Sequence, residues 1–241
     1  YSTVSLIEGK VVDGIATGEG RFVLVLDDGR RYLCRKVLLA TGVTDDLPEL
    51  PGLLELYGTS VHHCPICDGY EWRDKRIAVY GKNCRGFGLV QEMTAWSRDL
   101  LLLTDGPCDF NAGQLSYLKS MRIEVKQERV AHLEGEGEYL RAVVFEDGTR
   151  IERDALFFSS DQSLHSRDLP IRLGCGITEQ ECVWVGDSEM TCVEGIYCCG
   201  DASRNAQMVI VAAAEGAVAA VAINKALTME YKEAKREMME E

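Results

Sequence analysis

The residues with the clearest chemistry stand in the stretch His63-Cys64-Pro65-Ile66-Cys67-Asp68-Gly69-Tyr70-Glu71. Two cysteines separated by two residues close a small disulfide ring, and such a dithiol exchanges electrons readily once one sulfur is held as thiolate. Pro65 suits the first turn of a helix, and a helix start beside Cys64 favours its thiolate. Asp68, directly after the second cysteine, supplies a proton carrier. Together these describe a redox centre. The same pair is also half of a zinc knuckle, with His62 and His63 beside it. A four-ligand site wants a second pair at suitable spacing, however, and only single cysteines follow, so no metal is expected. His62 and His63 serve equally well as ordinary strand or loop residues, and His132 and His165 show no sequence partners.

A second set of candidates lies where apolar strands end on glycine. Arg76-Ile77-Ala78-Val79-Tyr80-Gly81 reads as a buried strand, leading through Lys82-Asn83-Cys84-Arg85-Gly86 into a helical segment from 88 to about 97. That is the layout of a dinucleotide-binding βαβ unit. Gly81-x-Asn83-x-x-Gly86 keeps the first and third glycines of the fingerprint and places Asn at the second, where backbone approaches a pyrophosphate. After the next strand, 100–104, comes Asp105-Gly106-Pro107, with no arginine for a 2'-phosphate, while Asp105 offers an acceptor to an NAD ribose. The competing reading is a β-α-β unit kept for its shape after losing its nucleotide. Another buried strand, 36–42, ends on Ala40-Thr41-Gly42, a turn that lets backbone pass close to a bulky ligand. Gly195-Ile196-Tyr197-Cys198-Cys199-Gly200-Asp201 is a strand stopping on an acid placed to accept a ribityl or ribose hydroxyl. An Ala-rich helix follows from about 207 to 227.

These groups need a scaffold. With 241 residues, 46% of them hydrophobic, the chain can bury one large core or two smaller ones, and two domains are expected. Residues 3–12 and 21–27 alternate apolar with polar around a hairpin turn at Asp27-Asp28-Gly29, predicting a small antiparallel meander that feeds the 36–42 strand. Leu47-Pro48-Glu49-Leu50-Pro51-Gly52 marks a domain crossing. A short helix over 113–120 precedes strands at 123–125 and 143–145, the latter with a turn at Glu146-Asp147-Gly148, and a strand at 155–158 closes this domain. A polar stretch ending near Pro170 returns to the first. Residues 225–241 alternate charges at helical spacing and predict a solvated terminal helix.

A net charge of -13 without clustered Lys and Arg excludes nucleic acid or an anionic membrane as main partner. No apolar run reads as a membrane span and the first residues carry no signal features, so a cytoplasmic protein is expected. Ten cysteines without a secretory signal should be mostly reduced. Cys34, Cys175, Cys182, Cys192, Cys198 and Cys199 are expected in core packing. Cys84 and Cys108 lie near turns, where core packing is less expected.

The order and spacing of Ala40-Thr41-Gly42, Cys64-Pro65-Ile66-Cys67-Asp68-Gly69, the turn opening at Gly81, and the Gly195 to Asp201 segment resemble the low-molecular-weight thioredoxin reductases. The likeness covers nearly the whole chain. With His63 ahead of Cys64 and Gly69-Tyr70-Glu71 following Asp68, the chain most resembles the branch that includes fungal and bacterial dithiol oxidases. The resemblance implies an α/β flavoprotein of two doubly wound, Rossmann-like, three-layer domains. Residues 1–48 and 162–241 would form a discontinuous FAD domain, and 49–161 an inserted NAD(P)-type domain carrying the cysteine pair. It further implies that Cys67 faces the flavin, Cys64 attacks the substrate disulfide, and Asp68 is the acid/base. Thr41 and Gly42 would line the FAD, Gly200 and Asp201 would hold its ribityl chain, and backbone near Met208 and Val209 would reach the ring. Gly81, Asn83 and Gly86 would mark the NAD(P) turn. The chain opens on Tyr1, past the Gly-rich unit that holds the ADP half of FAD in the family, so that unit is expected to be missing. Ser159-Ser160 stands where the family carries glycine.

Two mechanisms share this core. In a reductase, NADPH or NADH reduces FAD, FAD reduces the Cys64-Cys67 disulfide, and the dithiol reduces a thioredoxin-like protein or a small-molecule disulfide. In a dithiol oxidase, electrons run from a substrate dithiol through the pair to FAD and oxygen, with no nicotinamide. A third reading is a flavin-free, non-catalytic binding remnant, opposed by Cys64, Cys67 and Asp68 standing together. The resemblance also implies a homodimer.

Overall fold

Runs of four apolar residues make the strands Ile77–Tyr80, Leu100–Leu103 and Ala155–Phe158, all buried on both faces as parallel strands covered on two sides must be. The computed structural model describes residues 2–18, 20–204 and 206–240. It divides into two units, Asp46–Asp161 and the combination of Tyr1–Asp45 with Gln162–Glu241.

In the 46–161 unit, five strands form one parallel sheet in the order Val61–His62, Ala155–Phe158, Ile77–Tyr80, Leu100–Leu103, Glu124–Lys126. Helices Gly86–Met93 and Ala112–Ser120 connect successive strands, and one core lies against them, with Ile77, Val79, Val90, Met93, Leu102 and Leu118 at its centre. An antiparallel sheet of Val130–Glu136, Tyr139–Phe145 and Arg150–Glu152 contributes to the second core, where Leu133, Leu140, Val143 and Phe145 meet Tyr80, Leu101, Leu103 and Leu156. The unit is thus three-layered, with helices on one face and a β-meander on the other. Fully burying each such side chain stabilises by about 2 kcal/mol before entropy is counted. Helix Ala112–Ser120 starts at a reciprocal cap: Asn111 Oδ1 accepts the Gln114 N–H at 3.0 Å, and Gln114 Oε1 accepts the Asn111 N–H at 2.9 Å.

The other unit holds an antiparallel meander of Val11–Ala16, Phe22–Leu26 and Arg31–Cys34, and a parallel pair, Val37–Leu39 with Ile196–Cys198. A short antiparallel pair joins Val43–Asp45 to Gln162–Leu164. Phe22, Val37, Leu39, Leu164, Leu169 and Ile196 make its core. Gly29, at φ 85°, closes the expected hairpin, its N–H donating to Leu26 O at 3.0 Å.

Several expectations need correction. The first meander strand is Val11–Ala16, not 3–12, because Ala16 and Val11 pair with the two ends of Phe22–Leu26, and beyond them Lys10 O accepts the Asp27 N–H at 2.9 Å in the turn instead of extending the ladder. The helix after Gly81 begins at Gly86 and ends at Met93. Val130–Glu136 is a strand where none was predicted. The Ala-rich and charged segments form one helix, Val209–Glu240, with Glu241, like Tyr1, outside the described residues. That helix is long and apolar enough to cross a membrane by length and composition, with a mean hydropathy of 1.6 in its most apolar window, against the expectation that no run reads as a span. Its Glu215 is nonetheless buried, accepting the Gly200 N–H at 2.8 Å and the Arg204 Nε–H at 2.7 Å, which fastens this turn to its own unit. Cys175, Cys182, Cys198 and Cys199 are buried, but Cys192 is exposed, its sulfur accepting the Gly176 N–H.

Candidate active site

Strand Val61–His62 delivers the chain to the edge of the parallel sheet, and Pro65 opens the one-turn helix Pro65–Asp68 immediately beyond. Cys64 is the residue before that turn, extended at φ -107°, ψ 106°, and its sulfur accepts the Cys67 N–H at 3.2 Å. That donor stabilises negative charge on Cys64 once the pair is reduced. Cys64 and Cys67 are joined by a disulfide with a Cα separation of 5.3 Å. Cys67 is exposed and Cys64 half-buried. At Gly69, any Cβ would overlap the Pro65 carbonyl and the Trp96 indole, so glycine is required to bring the turn this close to the next helix. Ile66 and Tyr70 stand exposed beside the pair, with the Arg73 guanidinium 4.4 Å from the Tyr70 ring centre.

Asp68 Oδ2 lies 3.5 Å from His62 Nδ1, and the His62 ring is buried while Asp68 keeps 41% of its side chain in solvent. His62 Nε2 accepts the Trp72 Nε1–H at 3.0 Å, so the neutral ring carries its proton on Nδ1, facing Asp68. Burial pushes the His62 pKa down, against an opposing pull from the Asp68 carboxylate. His63 Nδ1 is 3.0 Å from Tyr57 Oη. The sequence places His62 near the pair by adjacency only and gives no sign of Trp72: strand pairing sets His62 opposite Phe157, which no local spacing encodes.

In the other unit, Val37–Leu39 and Ile196–Cys198 run parallel, with Leu39 opposite Cys198 and the Cys199 N–H donating to Leu39 O at 3.0 Å. Thr41-Gly42 and Gly200-Asp201 therefore leave the same carboxyl edge, the edge at which open α/β sheets receive ligands. Gly42 has φ 67° and open space where a Cβ would stand. The Gly200 N–H is taken by Glu215, and Asp201 is half-buried in the following turn. Met208 and Val209 are exposed where helix Val209–Glu240 begins. A left-handed open glycine, a half-exposed carboxylate and exposed apolar side chains in one unit fit the ring and ribityl chain of a flavin.

The nucleotide-type turn fits its expected ligand less well. Gly81 and Gly86 keep their packing roles, since a Cβ on Gly81 would strike the Gly86 backbone and one on Gly86 would meet Leu102. Asn83 takes the left-handed conformation a second glycine would adopt, φ 59°, but its N–H is spent on Thr104 O at 2.9 Å. Asp105 is not available to a ribose: it accepts Tyr80 Oη–H at 2.8 Å and the Val130 N–H at 2.9 Å, with its side chain only 9% exposed. The adjacent cleft, lined by Asp46, Tyr80, Lys82, Arg85, Ser159 and Asp161, encloses about 190 Å³, and an Arg85–Asp161 ion pair of 2.5 Å lies within its lining. Ligand pockets start at about 300 Å³, and this open cleft is smaller. Cys84, in the turn, is joined to Cys108, in the loop after Leu100–Leu103, by a second disulfide, where the sequence had suggested no role for either residue.

The chain is 28% identical over 204 residues to a probable thioredoxin reductase of Arthroderma benhamiae, covering 72% of this chain and 50% of that protein. It is 32% identical over 168 residues to thioredoxin reductase tcpT of Claviceps purpurea, covering 65% and 51%. The chain thus spans about half the length of the curated relatives it matches. Among solved structures, a putative thioredoxin reductase TrxB from Bacillus anthracis superposes with a TM-score of 0.87 at 32% identity, covering 96% of this chain and 77% of that one. The structure of HlmI superposes at 0.88 with 28% identity, covering 96% and 73%. The fold is therefore the Rossmann-like α/β fold of the thioredoxin reductases. Residues 2–216 match the model of the pyridine nucleotide-disulphide oxidoreductases, and with that match spanning most of its length the chain belongs to this FAD-dependent family.

Proposed function

We propose that the protein is a thiol-disulfide oxidoreductase in which Cys64 and Cys67 exchange an electron pair with a flavin on one side and a disulfide or dithiol substrate on the other. The Cys64-Cys67 disulfide beside Asp68 carries this reading. FAD, held by Thr41, Gly42, Gly200, Asp201 and backbone near Met208 and Val209, would supply or accept the electron pair. The chain's own steps are thiol chemistry. With the pair reduced, the Cys64 thiolate, stabilised by the Cys67 N–H, attacks one sulfur of a substrate disulfide. A Cys64–substrate mixed disulfide forms, and the other substrate sulfur leaves with a proton from Asp68. Cys67 then attacks Cys64, releasing the second substrate thiol and restoring the intramolecular disulfide; two electrons have passed to the substrate. A dithiol substrate runs the same steps in reverse, with Asp68 taking the proton.

The exposed Ile66 and Tyr70 beside the half-buried Cys64 support a protein of thioredoxin type, or a small-molecule disulfide or dithiol, as partner. The small nucleotide cleft is the observation on the side of a dithiol donor; the names of the relatives are on the side of a nicotinamide donor and a disulfide acceptor. Homodimer assembly belongs to the same reading by family. Trapping tests it. In the full-length protein, Cys67→Ser should accumulate a mixed disulfide through Cys64, mapped by peptide mass spectrometry, whereas Cys64→Ser should not. Turnover within about twofold of wild type in either variant, where loss of a nucleophile costs orders of magnitude, would sink the proposal.

A further inference from the structure

The Cys84–Cys108 disulfide is not part of the chemistry above. It ties the turn between Ile77–Tyr80 and Gly86–Met93 to the loop after Leu100–Leu103, with Cα atoms 5.4 Å apart. Both loops leave the carboxyl edge of the parallel sheet, where a dinucleotide's phosphates would have to enter between backbone and ligand. We propose that Cys84–Cys108 is a second thiol-disulfide site, one that a dithiol opens to free the nucleotide turn of this unit and a disulfide closes to latch it. The inference rests on reading residues 46–161 as a nucleotide-type domain.

Three observations carry it. First, the turn is held on the sheet at its near end by Gly81 N–H to Leu103 O at 3.0 Å and Asn83 N–H to Thr104 O, and the disulfide adds a covalent tie one residue later. Second, the partner loop has a fixed root and a cysteine-bearing end. Asp105 is anchored by Tyr80 and Val130 and Thr104 Oγ1 donates to Gly106 O at 2.6 Å, whereas beyond Gly106 the Cys108 carbonyl receives a 3.5 Å contact from Gln127. Third, Arg85 follows Cys84 directly, and its ion pair with Asp161 joins two side chains that are each about two-thirds exposed. An exposed pair of this kind is weak, so beyond the backbone hydrogen bonds at Gly81 and Asn83 the covalent tie is the main restraint on the Cys84-Arg85 end of the turn beside the 190 Å³ cleft.

The sulfurs differ in access: Cys84 is half-buried and Cys108 buried. A dithiol's thiolate attacks the Cys84 sulfur, breaking its bond to Cys108, which leaves as thiolate and takes a proton from solvent. The dithiol's second sulfur then displaces Cys84 and the dithiol departs as a disulfide, so two electrons pass to the protein and two thiols result. The reverse exchange with a disulfide restores the latch.

The test separates this site from Cys64-Cys67 by using the full-length protein with Cys64→Ser and Cys67→Ser. Thiol trapping and peptide mass spectrometry read the Cys84–Cys108 bond before and after dithiothreitol, and titration calorimetry reads binding of NADP+ and NAD+, which carry no hydride. The expected result is a Cys84–Cys108 crosslink in the oxidised protein and at least about tenfold tighter binding of one dinucleotide after reduction, because a binding-competent form kept rare lowers apparent affinity in proportion. Adding Cys84→Ser and Cys108→Ser should reproduce the reduced affinity without dithiothreitol; if that variant fails to fold, the reduced protein decides alone. No crosslink, equal affinity in both states, or no binding in either state overturns the latch. None of these outcomes touches the flavin-dithiol reading, which fails only in the Cys64 and Cys67 experiments.

Discussion

Asp68 is half-open to solvent while His62, 3.5 Å away, is buried, so a proton on this carboxylate can be exchanged with water yet is felt by an imidazole that water cannot reach. Replacing Asp68 with Asn removes the proton carrier and should lower kcat by about 10²- to 10⁴-fold, the span of general acid-base catalysis, while the disulfide still forms; unchanged turnover would deny Asp68 its role. His62 makes a pH prediction. Burial depresses its folded pKa, so the unfolded chain binds more protons between the two values, and stability from the neutral ring is present above about pH 6.5 and lost as pH falls toward and through the folded value. Thermal melts from pH 7 to 5 should show Tm falling more steeply in wild type than in His62→Gln, and parallel curves would contradict the assignment. The cysteine pair and its acid were legible because the chemistry sits within five consecutive residues. The contacts of the neighbouring histidines were not, since Trp72 reaches His62 and Tyr57 reaches His63 only in the folded unit.

At the level of elements, backbone contacts decide what the glycine turn tolerates. Gly81→Ala would drive a methyl group into the Gly86 backbone, which cannot step aside as a flexible side chain could, and should destabilise the 46–161 unit by about 2 kcal/mol; a denaturation midpoint within error of wild type would show that the turn adjusts freely. Glu215→Ala would strip the Gly200 N–H and the Arg204 Nε–H of their acceptor, while Arg204 keeps Glu189, costing about 2 kcal/mol after discounting the exposed Arg204, where Glu215→Gln should recover part of the loss. Continuous apolar runs announced Ile77–Tyr80, Leu100–Leu103 and Ala155–Phe158 correctly, whereas the run at 36–42, expected as a buried strand, forms only Val37–Leu39 with Leu38 exposed. Val130–Glu136 escaped because its polar residues, His132, Glu134 and Glu136, hide a strand whose buried apolar side chains are Val130 and Leu133 and whose ladder to Tyr139–Phe145 no local spacing announces. Cys84 and Cys108 are 24 residues apart, and only adjacent parallel strands bring their loops together.

Over the whole chain, the division into an uninterrupted 46–161 unit and a two-part unit follows from which strands can pair: Val37–Leu39 finds its parallel partner 159 positions later in Ile196–Cys198, and the intervening residues build a complete sheet of their own. The two-part unit contributes an edge with an open glycine and a carboxylate; the other contributes the disulfide and its acid. The central claim is that the two serve one electron path. The direct measurement is anaerobic visible spectroscopy of the full-length protein, following the flavin band as dithiothreitol is added to wild type and to the Cys64→Ser, Cys67→Ser double variant. A bound flavin that bleaches at least about 10²-fold faster in wild type is the predicted result. Bleaching at equal rates with and without the cysteines, or a folded protein carrying no flavin, would contradict the account.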